Sequence, residues 1–182
     1  MPSDGLWGDG SGYVRHAQQD FENWIVDEVP EIALQVCKAC SAKSTRYVSG
    51  LSMGGFAALR LAGKYPDRYK AASGHSSLTE LSQMDALIEE ARTGWSADAS
   101  SLSVLSALRS ASTLPALRFD CGLDDPYRDA NRQLHQALLD LNIAHTYEEF
   151  SGGHDWPYWQ KHLADSLRFF SQAESKRSIN QV

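Results

Sequence analysis

The stretch Tyr47-Val48-Ser49-Gly50-Leu51-Ser52-Met53-Gly54-Gly55-Phe56-Ala57-Ala58 decides the fold. Thr45 to Ser49 is short, has Tyr47 and Val48 as its apolar pair and ends at Gly50, so it reads as a strand. Met53 to Tyr65 is rich in Ala and Leu and is closed by Pro66, so it reads as a helix. Between them lies a G-x-S-x-G pattern, Gly50 to Gly54. Chance alone yields it in roughly one chain of this length in twenty. Its place between a strand and a helix makes it a nucleophile elbow, a sharp turn that holds the serine in a strained conformation. The two glycines leave room for close backbone approach. The helix starting near Met53 aims free amides and the positive end of its dipole at Ser52, which favours an oxyanion there. The bland alternative is a Gly-rich turn with an inert serine.

A serine hydroxyl is a weak nucleophile near neutral pH. It needs a base within hydrogen-bond reach, and the base needs an orienting carboxylate. Chains with this elbow supply them in the order Ser, acid, His. Of six histidines, His16 precedes the serine and is excluded by that order. His135 and His162 fall inside helical patterns and read as surface residues. His145 opens a strand, and His75, following the second strand, stays a lesser candidate. His154 lies in Ser151-Gly152-Gly153-His154-Asp155-Trp156, directly after the last strand, where a glycine pair lets a loop deliver the imidazole. The acid is expected after the third strand, in Phe119-Asp120-Cys121-Gly122-Leu123-Asp124-Asp125. Asp120 reads as part of the strand. Asp124 and Asp125 both lie at its C-terminal end, where functional residues of such sheets gather. One suffices, so the other is solvated or a cap; Asp129 reads as a cap of the next helix.

Outward from these motifs, residues 1–16 are rich in Gly, Asp and Ser and read as loop. From Asp20 to about Cys40, Phe21, Trp24, Ile25, Val29, Ile32 and Val36 recur at helical spacing, with Pro30 expected to kink or divide the helix. Tyr69–Ser73, Ala116–Cys121 and His145–Phe150 read as strands; Asp129–Leu141 and Tyr158–Phe170 read as helices. The tail after Gln172 is polar and expected to fray. The 76–114 segment holds two helical patterns, Thr79–Arg92 and Leu102–Ser110. It reads either as a cap over the active site or as extra surface packing. Strands alternating with helices give an α/β fold: a parallel sheet covered on both faces, three layers α/β/α, in one domain spanning 1–182.

Composition narrows the function classes. At 182 residues the chain is one domain, and 42% hydrophobic with 22% charged residues permits an ordinary globular core. A net charge of -6 without a Lys/Arg cluster argues against a nucleic-acid partner. No apolar run is long enough to span a bilayer, and no signal peptide is visible, so the cytoplasm is the default location. Cys37 and Cys40 form a C-x-x-C near the end of a helical pattern, not at a helix N-terminus where a thiolate is stabilised. No second Cys/His pair completes a zinc site, so they read as ordinary helix cysteines. Gly5–Gly12 lacks the pattern of a phosphate loop. The chemistry implied needs no metal and no cofactor.

These pieces together resemble the esterase family of α/β-hydrolases that includes the esterase D or S-formylglutathione hydrolase group, feruloyl and acetylxylan esterases, enterochelin esterases and mycolyltransferases. The resemblance rests on Gly50-Leu-Ser-Met-Gly-Gly-Phe-Ala-Ala, Ala62-Gly-Lys-Tyr-Pro-Asp-Arg-Tyr, Cys121-Gly-Leu-Asp-Asp and Tyr147-Glu-Glu-Phe-Ser-Gly-Gly-His-Asp-Trp. It runs from about residue 2 to 172, and Asn131 with Leu134-His135 resembles the family's helix after the acid. It implies the α/β-hydrolase fold and places the acid on Asp125 rather than Asp124.

Family members have a longer chain before the elbow, which supplies further strands and a His-Gly loop carrying a second oxyanion donor. Met1-Pro2-Ser3-Asp4-Gly5 resembles the family's interior, so the expectation is a chain lacking the first strands. The strand before Ser52 would then be a sheet edge that invites pairing, with a homo-oligomer as one outcome. The oxyanion hole would keep the Met53 N–H, and a second donor would have to come from Leu6–Gly12 or another chain. The implied activity is hydrolysis of a small-molecule ester by Ser52, His154 and Asp125 through an acyl-enzyme, with Leu6, Trp7 and Trp156 lining the cleft. An acyltransferase using the same residues, or a silent fragment that retains them, are the competing readings.

Overall fold

The computed structural model describes residues 10–87, 94–96, 98 and 102–179. In chain order they form β1 (Arg15–His16), α1 (Phe21–Asn23), α2 (Val29–Val36), β2 (Tyr47–Leu51), α3 (Met53–Lys64), β3 (Ala71–His75), β4 (Trp95–Ser96), α4 (Val104–Ser110), β5 (Ala116–Gly122), α5 (Arg128–Asp140), β6 (Thr146–Phe150) and α6 (Trp156–Ile179). β2, β3, β5 and β6 lie side by side in that order, all parallel. Parallel neighbours need a crossover, and each crossover here carries a helix. β1 and β4 pair antiparallel as a separate ribbon.

The pleat of the strands assigns the layers, because successive side chains point to opposite faces. Val48, Ala72, Leu117 and Phe119 face one core with Phe56, Leu59 and Ala62 of α3, Val104 and Leu108 of α4, and Leu134 and Leu138 of α5. The alternate residues turn to α6. Tyr47 stacks on Phe170 with ring centroids 4.9 Å apart. Ser73 and His75 both reach Ser166, and Asp120 receives the Tyr158 hydroxyl. The result is the three-layer α/β/α sandwich, apolar under α3–α5 and unusually polar under α6.

Several boundaries differ from the sequence reading, for tertiary reasons. β2 and β3 lie two residues further on, because pairing of Gly50 with Gly74 and Leu51 with His75 carries the ladder through both glycines. The helical run around Pro30 is divided, two residues before the proline rather than at it. A π turn, Trp24–Glu28, precedes α2 and puts Pro30 in the first turn of α2, where a missing N–H costs nothing. Cys37 ends α2, and the Cys40 amide donates to its carbonyl at 3.0 Å, so Cys40 lies in the turn beyond the helix.

Residues 10–14 are loop, but a buried one: Ser11, Tyr13 and Val14 are buried, as is His16 of β1. Of the helix expected over Thr79–Arg92, residues 79–87 instead hold a 3₁₀ segment, Leu81–Ala86, opened by a capping box of Glu80 and Gln83, and 88–93 lie outside the described residues. Leu78, Leu81, Met84, Val104 and Leu108 of the 76–114 segment belong to the main core. The tail after Gln172 continues α6, and there Glu174 accepts the Tyr47 hydroxyl at 2.5 Å. His162 is buried rather than on the surface. Asp129 sits in the first turn of α5, exposed, and does not cap it.

A buried ion pair ties α3 to the N-terminal segment. Arg60, wholly buried, meets Glu22, whose other oxygen takes Lys64 Nζ at 2.8 Å and the Tyr65 hydroxyl at 2.6 Å. Arg60 Nη2 also donates to the Tyr13 carbonyl at 2.6 Å. Burial pushes the Glu22 carboxyl up, but Arg60, Lys64 and Tyr65 outweigh it and hold it below its ordinary value. Among the described residues β2 pairs with β3 alone, so its other edge carries no strand. No helix among them is long and apolar enough to cross a membrane.

Candidate active site

Three loops at the C-terminal ends of β2, β5 and β6 converge on one point, the place where parallel sheets present functional groups. At the first, Ser52 takes φ 53° and ψ -120°, a left-handed conformation that a non-glycine residue adopts only under constraint. A Cβ at Gly50 would overlap the Gly54 carbonyl, so only glycine permits the turn. The turn is tied on both sides: Ser52 N donates to the His75 carbonyl at 2.8 Å, and the Ser52 carbonyl accepts from Phe56 N at 3.0 Å. Met53 is the first residue of α3, so its amide is among the donors that have no intrahelical acceptor. Its side chain lies under the N-terminal segment, where Gly12 N approaches Met53 Sδ at 3.3 Å.

The loop after β5 carries Asp125, whose side chain has no exposure. Its Oδ1 accepts from Tyr127 N at 2.8 Å. Burial raises the carboxyl pKa, but the bonds from His154 and from the Tyr127 amide dominate and hold it below the ordinary value. Asp124, the neighbour that the motif alone does not separate from it, is exposed. The loop after β6 carries His154. Gly152 there has φ 136°, and the Gly152 carbonyl packs where a Cβ on Gly122 would collide. Asp124 N donates to the Gly152 carbonyl at 3.0 Å, so the acid and histidine loops are bonded to each other.

His154 Nδ1 lies 2.9 Å from Asp125 Oδ2, and His154 Nε2 lies 2.9 Å from Ser52 Oγ. A carboxylate only accepts, so the Nδ1 proton points to Asp125 and the Nε2 lone pair faces the Ser52 hydroxyl. Tyr127 and Trp159 stand edge-on to the imidazole at 5.1 and 5.0 Å. Sequence reasoning missed Tyr127; it counted Trp159 among the tryptophans that could line the cleft but selected Trp7 and Trp156 instead. Trp156 is 64% exposed and touches Trp159, at 5.4 Å, rather than His154. Leu6 and Trp7 lie outside the described residues. His75, the lesser candidate, has its imidazole in the core against Asp120, and His135 bonds to His145 at 2.7 Å. Asn131 Nδ2 bridges the Ser77 and Tyr127 carbonyls at 2.8 and 2.9 Å, joining the loop after β3 to the acid loop. Among the described residues no cluster of His, Cys, Asp and Glu could hold a metal ion.

A parallel sheet with an elbow serine between β2 and α3, covered by helices on both faces, is the α/β-hydrolase fold of serine hydrolases. The family model described as "Putative esterase" matches residues 13–170, and the chain belongs to that esterase family. By class it is therefore a carboxylic ester hydrolase. An acetyl esterase of Caldicellulosiruptor saccharolyticus is 25% identical over 185 residues, covering 91% of this chain and 70% of its own. FphF, a fluorophosphonate-binding serine hydrolase of Staphylococcus aureus, superposes with a TM-score of 0.75 at 21% identity, over 87% of this chain and 67% of its own. An S-formylglutathione hydrolase from Agrobacterium tumefaciens gives a TM-score of 0.69 at 18% identity, over 90% of this chain and 63% of its own. The chain thus spans about two thirds of the length of these relatives.

Proposed function

We propose that the chain hydrolyses short-chain acyl esters, acetyl esters foremost, with Ser52 as nucleophile, His154 as general base and acid, and Asp125 as the residue that orients His154. The observation that carries this reading is the pair of 2.9 Å contacts that His154 makes to Ser52 and Asp125. Ser52 Oγ attacks the ester carbonyl as its proton passes to His154 Nε2. Asp125 keeps the imidazole in the required tautomer and stabilises the imidazolium. The Met53 N–H, at the positive end of α3, faces the oxyanion of the tetrahedral intermediate. Collapse breaks the bond to the leaving oxygen, which takes the proton from His154, and leaves an acyl group on Ser52. A water molecule, deprotonated by His154, then attacks the acyl-enzyme; the acid departs and the Ser52 hydroxyl is restored.

The acetyl preference rests on the acetyl esterase relative. Leu6, Trp7 and Trp156 are assigned to the substrate cleft, with Trp159 and Tyr127 flanking the imidazole, and the 76–114 segment is the cap-like part of the domain. The test is hydrolysis of p-nitrophenyl acetate, butyrate and octanoate by wild type and by Ser52→Ala. Turnover that depends on Ser52 and falls with acyl length supports the reading. Folded wild-type protein without turnover, or turnover that survives Ser52→Ala, overturns it.

A further inference from the structure

Beneath these residues lies a second, closed polar ring. Ser166 Oγ is 2.7 Å from His75 Nε2, and His75 Nδ1 is 2.8 Å from Asp120 Oδ2. Ser73 Oγ is 2.6 Å from Ser166 Oγ, and Arg118 Nη1 reaches both Ser73 Oγ, at 3.5 Å, and Asp120 Oδ2, at 2.5 Å. Arg118 is the donor to both Ser73 and Asp120, and the Ser73 hydroxyl, the Ser166 hydroxyl and His75 Nε2 follow in line from it. Ser73, Ser166 and Asp120 are fully buried and His75 is 3% exposed. The ring repeats the contact order serine, histidine, aspartate, but no ester can enter it, so it is not a second hydrolytic centre.

Two links lead from the ring to the reacting residues. On one side the His75 carbonyl accepts the Ser52 amide at 2.8 Å. On the other, Tyr158 OH donates to Asp120 Oδ1 at 2.7 Å, and Tyr158 N donates to Asp155 Oδ1 at 2.9 Å. The Tyr158 ring stands against Gly152, where a Cβ would lie 2.8 Å from it. Gly152 and Asp155 bracket His154. The loop that carries the base therefore rests on an aromatic ring whose far end is pinned to a buried carboxylate.

We propose that Tyr158 and Asp120 are positioning residues for His154, the hydroxyl–carboxylate contact fixing how deeply the 152–155 loop sits and hence the reach of the imidazole between Asp125 and Ser52. The proposal rests on the reading of His154 as the base. Displacing a reacting group by about 1 Å can cost on the order of 100-fold in rate, which is the leverage such a contact has.

Tyr158→Phe removes one oxygen and leaves the ring packed. The first readout is the downfield proton resonance of His154 Nδ1–H bonded to Asp125, identified by its loss in His154→Gln. The second is kcat and KM for p-nitrophenyl acetate per site titrated with a fluorophosphonate. Ser166→Ala opens the ring without touching the Tyr158–Asp120 contact and serves as the control for lost stability. The expected result for Tyr158→Phe is a resonance shifted or broadened and kcat per titrated site lower by about tenfold or more, with KM within about twofold. Ser166→Ala is expected to lower Tm but to keep both the resonance and kcat. An unchanged resonance and kcat in Tyr158→Phe, or an equal loss in Ser166→Ala, overturns the proposal. If the wild type shows the resonance but no turnover, the esterase reading fails, and the resonance in Tyr158→Phe alone decides the positioning role.

Discussion

His154 Nε2 lies 2.9 Å from Ser52 Oγ across 102 residues of chain. Neither residue brings the contact about alone. Ser52 is raised by the elbow between β2 and α3, His154 is lowered by the Gly152–Gly153 loop after β6, and two further strands lie between them in the sheet. The pair is an outcome of the whole sheet order, which is why single changes in it have large effects.

Ser52→Ala and His154→Ala are each expected to lower kcat for a p-nitrophenyl ester by roughly 10⁴-fold or more, with the fold retained. The double variant should be about as slow as either single one, because the two residues act as a unit. Steady-state kinetics on the three variants checks this; additive losses would mean that the residues work independently.

Asp125→Asn leaves the side chain in place but gives His154 Nδ1 a partner that no longer enforces the tautomer. A loss in kcat of about 10⁴-fold is the expectation. Asp124→Asn, one residue earlier and exposed, should stay within about twofold of wild type. Equal losses in the two variants would move the acid to another position.

The φ of 53° at Ser52 predicts an order of stabilities among inactive variants. Ser52→Gly should be more stable than Ser52→Ala by about 1 kcal/mol, since glycine adopts this conformation without strain. Chemical denaturation of the two proteins measures it, and an alanine variant at least as stable would show that the turn is relaxed.

Glu22, Asp120 and Asp125 all have carboxyl groups held below their ordinary values, 4.5 for Glu22 and 3.8 for the aspartates. For Asp120, burial acts upward, and His75 and Arg118 overcome it. Depressed carboxyl groups stabilise the fold fully above the ordinary values, and that contribution is lost as pH falls through the lowered ones. Stability should therefore be flat near neutrality and decline steeply below about pH 4. Glu22→Gln, which leaves Arg60 buried without its anion, should cost about 3 kcal/mol at neutral pH and flatten part of that acid decline. Denaturant midpoints from pH 3 to 7 for both proteins provide the check.

The functional site is more legible in the sequence than its surroundings. G-x-S-x-G between a strand and a helix, and a Gly-Gly-His loop after the last strand, are local patterns, so Ser52 and His154 can be read from their neighbours in sequence. Choosing Asp125 over Asp124 needs a resemblance, because adjacent loop carboxylates differ only in which one the fold buries. The polar ring is invisible for a related reason. Arg118 and Asp120 alternate with Leu117 and Phe119 along β5, a period that reads as one buried and one solvated face; α6 covers the second face, and its Ser166 and Tyr158 meet these side chains only in three dimensions. His162, on the same helix, reads as a surface residue for the same reason. The α6 extension past Gln172 is held by Tyr47 and Thr45, contacts more than 120 residues away that no local propensity encodes.

If Ser52 is a nucleophile activated by His154, covalent labelling reveals it whatever ester the protein acts on. Wild type, Ser52→Ala and His154→Ala would be treated with a fluorophosphonate and characterised by intact mass and peptide mapping. The account predicts one stoichiometric adduct on Ser52 in the wild type, none in Ser52→Ala, and a rate of labelling in His154→Ala slower by at least about 100-fold. An adduct on another residue, no adduct on folded wild-type protein, or undiminished labelling of His154→Ala would contradict it.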